Sequence, residues 1–280
     1  MTSIKIIGDP GKHDVEKIKR WLEDSLKKLN LSLKEIYIVF FGSLRQFQKI
    51  SKEYLKGTEN ATEVDFAQIE TAAYLDDRFR KEGIPPIILI KKGVKISEET
   101  IQDEVAHIAE ENKGWNRTIL EGFGLVQQDN MGFATTAVIS EIPLRLAFFF
   151  SLAHRFVDHF SSEMLCQHGL IREAFRAKLE MVNYWIKDCL PKRGELKIGD
   201  FDLATQAAFW TTLSPSYPQK EDERKLEEMI IEYIHQMEME PLYRKIKQAV
   251  AKLEGPPKVA NIYKCGAEII ELAQDFLEKK

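Results

Sequence analysis

Residues Asp103-Glu104-Val105-Ala106-His107 differ by one side chain from the His-Glu-x-x-His pattern. In that pattern two histidines a helical turn apart hold a zinc ion, and the glutamate between them activates the metal-bound water. Glu104 and His107 stand in the general-base position and in one ligand position, while Asp103 occupies the place of the first histidine. A carboxylate oxygen does bind zinc, at about 2.0–2.2 Å. It reaches less far than an imidazole and adds negative charge, so the metal becomes a weaker Lewis acid and its water less acidic. The same residues also read as an ordinary solvated helix face with an Asp–His pair one turn apart.

A second group of ionisable residues lies within Leu146 to Leu165. Leu146, Ala147, Phe148, Phe149, Phe150, Leu152 and Ala153 are apolar around the whole turn, which predicts a helix buried on nearly all sides. Against that background Ser151, His154, Asp158 and Ser162 recur at three- and four-residue steps as one polar seam. A histidine and a carboxylate one turn apart in such a helix bind a metal, satisfy each other in the core, or face a wet cleft. His159 is a further imidazole lying off that seam.

The elements that would carry these residues are legible as patterns. Ile4 to Ile7, closed by Gly8-Asp9-Pro10-Gly11, reads as a strand and turn. Val15, Ile18, Trp21, Leu22, Leu26 and Leu29 form one helical stripe, and Ile36 to Phe41 is a central strand ending at Gly42. Leu44, Phe47, Ile50, Tyr54 and Leu55 continue as a second helix. Between Thr62 and Arg80, Val64, Phe66 and the Thr71 to Leu75 run are candidate edge strands, and Ile87 to Ile90 is a buried one. Ser97 then caps a helix with Glu98 and Glu99 in its first turn. That helix sets Ile101, Val105, Ile108 and Ala109 on one side and Asp103, His107, Glu110 and Glu111 on the other, with Glu104 at the margin.

Gly114 to Gly132, rich in glycine, asparagine and glutamine, is expected to be a loop long enough to serve as a lid. Beyond it the pattern is all-helical. Helices are expected over Leu170 to Leu190, Phe201 to Leu213, Glu221 to Glu238, Leu242 to Leu253 and Ile262 to Leu277, separated by prolines. The last of them is amphipathic, which suits docking on the core and equally suits dimerisation, so a homo-oligomer is one expected state. The division expected is an α/β part over residues 1–135 and a helical part over 136–280.

Composition narrows the function classes. With 40 basic and 44 acidic side chains in 280 residues, the net charge is −4, and no basic block with interleaved aromatics would attract a nucleic acid. The most apolar stretch, Leu144 to Val157, is broken by Arg145 and His154 and is too short to cross a bilayer, so no membrane partner is expected. Cys166, Cys189 and Cys265 are far apart and read as buried free thiols, in keeping with a reducing, cytoplasmic setting. Phosphate loops, dinucleotide fingerprints and a Gly-x-Ser-x-Gly elbow are missing.

The order of a buried strand at Ile87 to Ile90, a capped helix with Glu104 and His107, and a later helix with an inward carboxylate resembles the core of the zincin metallopeptidases, over roughly residues 36 to 170. The resemblance implies an α+β fold, a small mixed sheet with flanking helices followed by a largely helical C-terminal portion. It also implies Glu104 as general base, with His107 and Asp158 as zinc ligands, Asp103 completing the set, and His154 and His159 as alternative donors, of which His154, on the seam with Asp158, is the better placed. A peptide or protein would be the substrate. Loss of the first histidine points to a degenerate or altered metal-dependent hydrolase. The alternative is a non-enzymatic binding or scaffold protein that keeps the zincin-like shape.

Overall fold

The computed structural model describes residues 2–56, 72–75, 77, 80–135, 142–170, 197–213 and 221–278. Cys189 and the expected strands at Val64 and Phe66 lie outside them, as does nearly all of the helix expected over Leu170 to Leu190. The fold is α+β, and the chain divides into two compact units, Met1–Lys113 and Gly114–Lys280.

The first unit runs β1 (Ser3–Ile7), α1 (Val15–Lys28), β2 (Glu35–Phe41), α2 (Leu44–Tyr54), β3 (Ala72–Leu75), β4 (Ile87–Lys91) and α3 (Glu98–Asn112). Its strands form one mixed sheet in the order β1-β2-β4-β3, the first three parallel and β3 antiparallel at the edge. β2 and β4 are central because their apolar runs suit burial on both faces. Side chains alternate across the sheet. Val39, Phe41, Ile87 and Leu89 therefore meet Phe47, Ile50 and Tyr54 of α2, and Ile36, Ile38, Phe40, Ile88 and Ile90 are buried on the opposite face. α1 packs against α3, and α3 packs against β3. Ser97 caps α3 as its sequence requires, its hydroxyl accepting from the Thr100 amide at 3.3 Å. Gly8 turns the chain out of β1 at φ +84°, where a Cβ would stand 2.4 Å from the Phe40 carbonyl oxygen.

The second unit consists, among the described residues, of α4 (Trp115–Thr135), α5 (Ile142–Gln167), α6 (Lys197–Leu213), α7 (Glu221–Gln236), α8 (Glu240–Val250), a short 3₁₀ turn (Ala251–Leu253) and α9 (Val259–Glu278). The loop expected over Gly114 to Gly132 is instead almost entirely helix α4. Ile119, Phe123, Val126 and Phe133 bury one stripe of it, and its glycines answer to packing. At Gly122 a Cβ would lie 2.9 Å from Ile262, and at Gly266 of α9 one would lie 2.6 Å from Val126, so paired glycines let α4 and α9 approach closely. The amphipathic last helix thus docks within its own unit.

α5 is buried on one side only. Phe148 and Phe149 are buried, whereas Phe150 is 63% exposed and Leu146 36%, which corrects the expectation of burial all round. Edge-to-face rings join α5 to its neighbours: Phe149 with Phe133 of α4, Phe148 with Phe201 of α6, and Phe156 with Phe209 of α6. Cys265 is a buried free thiol and Cys166 a half-buried one. No helix among the described residues is long and apolar enough to cross a membrane.

Candidate functional site

The acidic side of α3 faces β3. Glu104 is buried, 8% exposed, and its Oε2 accepts the backbone N–H of Tyr74 at 2.5 Å. The register explains this bond. Ala73 and Leu75 pair opposite Leu89 and Ile87, and because amides alternate in direction along a strand, the Tyr74 N–H points outward from the sheet. A carboxylate from α3 thus supplies the partner that a further strand would otherwise supply.

Two turns along α3, Glu111 closes a second group of bonds. Its Oε2 accepts from the Tyr74 hydroxyl and from the Asp77 amide at 2.8 Å. Arg80 grips both carboxylate oxygens, Nη2 to Oε1 at 2.7 Å and Nη1 to Oε2 at 3.1 Å, and donates to the Leu75 carbonyl at 2.5 Å. Burial works against the Arg80 charge, but the bond to Glu111 and the contacts with Tyr74 outweigh it and keep the guanidinium firmly cationic. Burial pushes the Tyr74 phenol up, reinforced by its bond to Glu111, so it donates as a neutral hydroxyl.

His107 pairs with Glu110, Nδ1 to Oε2 at 2.9 Å. Glu110 is fully buried and the His107 side chain is 18% exposed. Burial opposes protonation of His107, but the bond to Glu110 and the charges of Glu110, Asp103 and Glu104 prevail and lift its pKa to about 10. At neutral pH the imidazole is therefore protonated, with both nitrogens donors. A metal could take Nε2 only by displacing that proton. Asp103 is half-buried.

Asp103, Glu104 and His107 thus share α3 of the first unit, while His154 and Asp158 belong to α5 of the second. The inward seam expected through Ser151, His154, Asp158 and Ser162 is rotated: His154 is exposed and Asp158 half-buried. The buried polar stripe is Arg155, His159 and Ser162, at 7%, 5% and 1% exposure. Arg155 lies 2.8 Å from Asp202 of α6, and His159 stands edge-on to Phe160 and Phe209. Desolvation lowers the His159 pKa to about 4. His235 pairs with Glu240 at 2.9 Å. Among the described residues no group of three or more His, Cys, Asp or Glu side chains is arranged to hold a metal ion.

Sequence reasoning missed Arg80 and Tyr74. No local pattern marks either, since both act through Glu111, some thirty positions along the chain. The Arg155, His159 and Ser162 spacing of four and three stands in the sequence, but the Asp202 carboxylate that lets an arginine be buried there comes from another helix. No family model, curated protein or solved structure matches the chain.

Proposed function

We propose that this chain is a non-catalytic binding or scaffold protein, a degenerate relative of the metallopeptidase type its sequence resembles. One observation carries this: the carboxylate in the general-base position, Glu104, is committed to the Tyr74 amide at 2.5 Å and is only 8% exposed. A general base must reach a water or substrate proton at about 2.6–3.2 Å. Glu104 spends an oxygen on holding the edge strand to the helix. The His107 pair with buried Glu110 supports the same role, since its charge is needed inside the protein. In this reading the chain binds a peptide or protein without cleaving it.

The Nδ1 bond of His107 to a carboxylate favours a second reading, in which that bond orients the ring and Nε2 takes zinc. Asp103 would then be the neighbouring ligand, with peptide hydrolysis weakened by the added negative charge.

Metal analysis of the full chain purified with zinc present separates the two. The binding-protein reading expects well below one equivalent of zinc, unchanged in His107→Ala. Zinc near one equivalent that is lost in His107→Ala, together with zinc-dependent cleavage of a casein substrate, overturns it.

A further inference from the structure

The two edges of the sheet are treated differently. At the β3 edge the outward Tyr74 amide is taken by Glu104. At the β1 edge nothing equivalent is found among the described residues. Ser3 donates to the Lys34 carbonyl at 3.0 Å, so Ser3, Lys5 and Ile7 turn their backbone groups toward β2. By alternation, Ile4 and Ile6 present their N–H and C=O groups away from the sheet. Ser3 and Lys5 are exposed, and Ile4, Ile6 and Ile7 are only half-buried.

We infer that β1 is a docking edge for an extended acidic peptide of a partner protein, which adds to the sheet as a fifth strand. Ile4 and Ile6 offer the paired donors and acceptors that strand addition uses, and their half-buried side chains give alternate residues of the added strand an apolar seat. The charge specifies the occupant. Lys5 is exposed with no ion-pair partner among the described residues, its ammonium lying 4.8 Å from the centre of the Tyr37 ring, so a carboxylate on the added strand beside it gains a cross-strand ion pair. A second copy of the chain fits poorly. Antiparallel pairing that exchanges the Ile4 and Ile6 bonds sets Lys5 opposite its own copy, and like charges directly opposite are destabilising. This edge is separate from α3 and its use does not depend on whether α3 holds a metal.

Amide exchange of the labelled full chain, followed by NMR during titration with a blocked Thr-Val-Glu-Val-Thr peptide, tests the assignment. At saturation the Ile4 and Ile6 amides should exchange slower by about tenfold or more, with Tyr74 unaffected. Ile6→Pro removes an outward N–H while sparing the ladder to β2, and should abolish binding. Lys5→Glu should weaken binding of this peptide by about fivefold and favour Thr-Val-Lys-Val-Thr instead. If Ile6→Pro does not fold, the reversal of peptide preference in Lys5→Glu decides alone. Unchanged exchange at Ile4 and Ile6 at millimolar peptide overturns the inference, as does wild-type binding by the folded variants. Slowed exchange that grows with protein concentration in the absence of peptide gives the edge to a second copy and overturns it equally.

Discussion

Replacing Glu104 by alanine removes the acceptor of the Tyr74 amide and leaves that N–H beside a gap in a site only 8% exposed. A hydrogen bond to a charged group contributes about 1.5–3 kcal/mol, and loss of one buried methylene adds about 0.8 kcal/mol, so a destabilisation of about 2–4 kcal/mol is expected. For a chain of this size about 2–4 °C of melting temperature corresponds to each kcal/mol. Glu104→Ala should therefore melt about 5–10 °C lower. Glu104→Gln keeps an oxygen that can accept the same N–H, and its cost should stay near 1 kcal/mol. Differential scanning calorimetry reads both values, and exchange of the Tyr74 amide locates the effect, since that amide should lose protection in the alanine variant and largely keep it in the glutamine variant. An alanine variant that melts with the wild type and keeps Tyr74 protected would show that Glu104 is not holding the strand. Glu104→Gln that abolishes a zinc-dependent cleavage at unchanged stability would restore it to a catalytic role.

Two further outcomes follow from the helical unit. Gly266→Ala places a methyl 2.6 Å from Val126, and Gly122→Ala one 2.9 Å from Ile262. Each should cost about 1–3 kcal/mol by overpacking, while Gly124→Ala, with open space around it, should be neutral or slightly stabilising; thermal melts of the three variants check the order. His159 has a folded pKa of about 4 against an ordinary value of 6.5, so the unfolded chain binds the proton more readily and stability falls as pH drops through 6.5, levelling off below about 4. The loss amounts to about 3 kcal/mol across that window. His159→Phe should flatten this part of the stability profile in urea titrations at pH 7 and pH 4.5, and an unchanged slope would refute the assignment.

The sequence determined the elements whose signals are local. The apolar runs Ile36 to Phe41 and Ile87 to Ile90 could only be interior strands, and Ser97 ahead of Glu98 and Glu99 fixed the start of α3, because alternation, burial and capping are decided within a few residues. The short edge strand at Ala72–Leu75 was legible in part, since its apolar run is brief and its neighbours are polar. Tertiary packing decided the rest. Glycines that suggested a loop between Gly114 and Gly132 lie in a helix, because Gly122 meets Ile262, a contact that local sequence does not show. A run that looked apolar on every side left Phe150 in solvent and buried Arg155, since Asp202 on α6 provides the charge that an isolated arginine would lack. The five residues around Glu104 read alike for a zinc site and for a solvated face, and neither local pattern contains the Tyr74 amide. The chain itself fixed which carboxylate stands at that position of the helix; only the fold, by bringing an edge strand beside it, decided what the carboxylate holds.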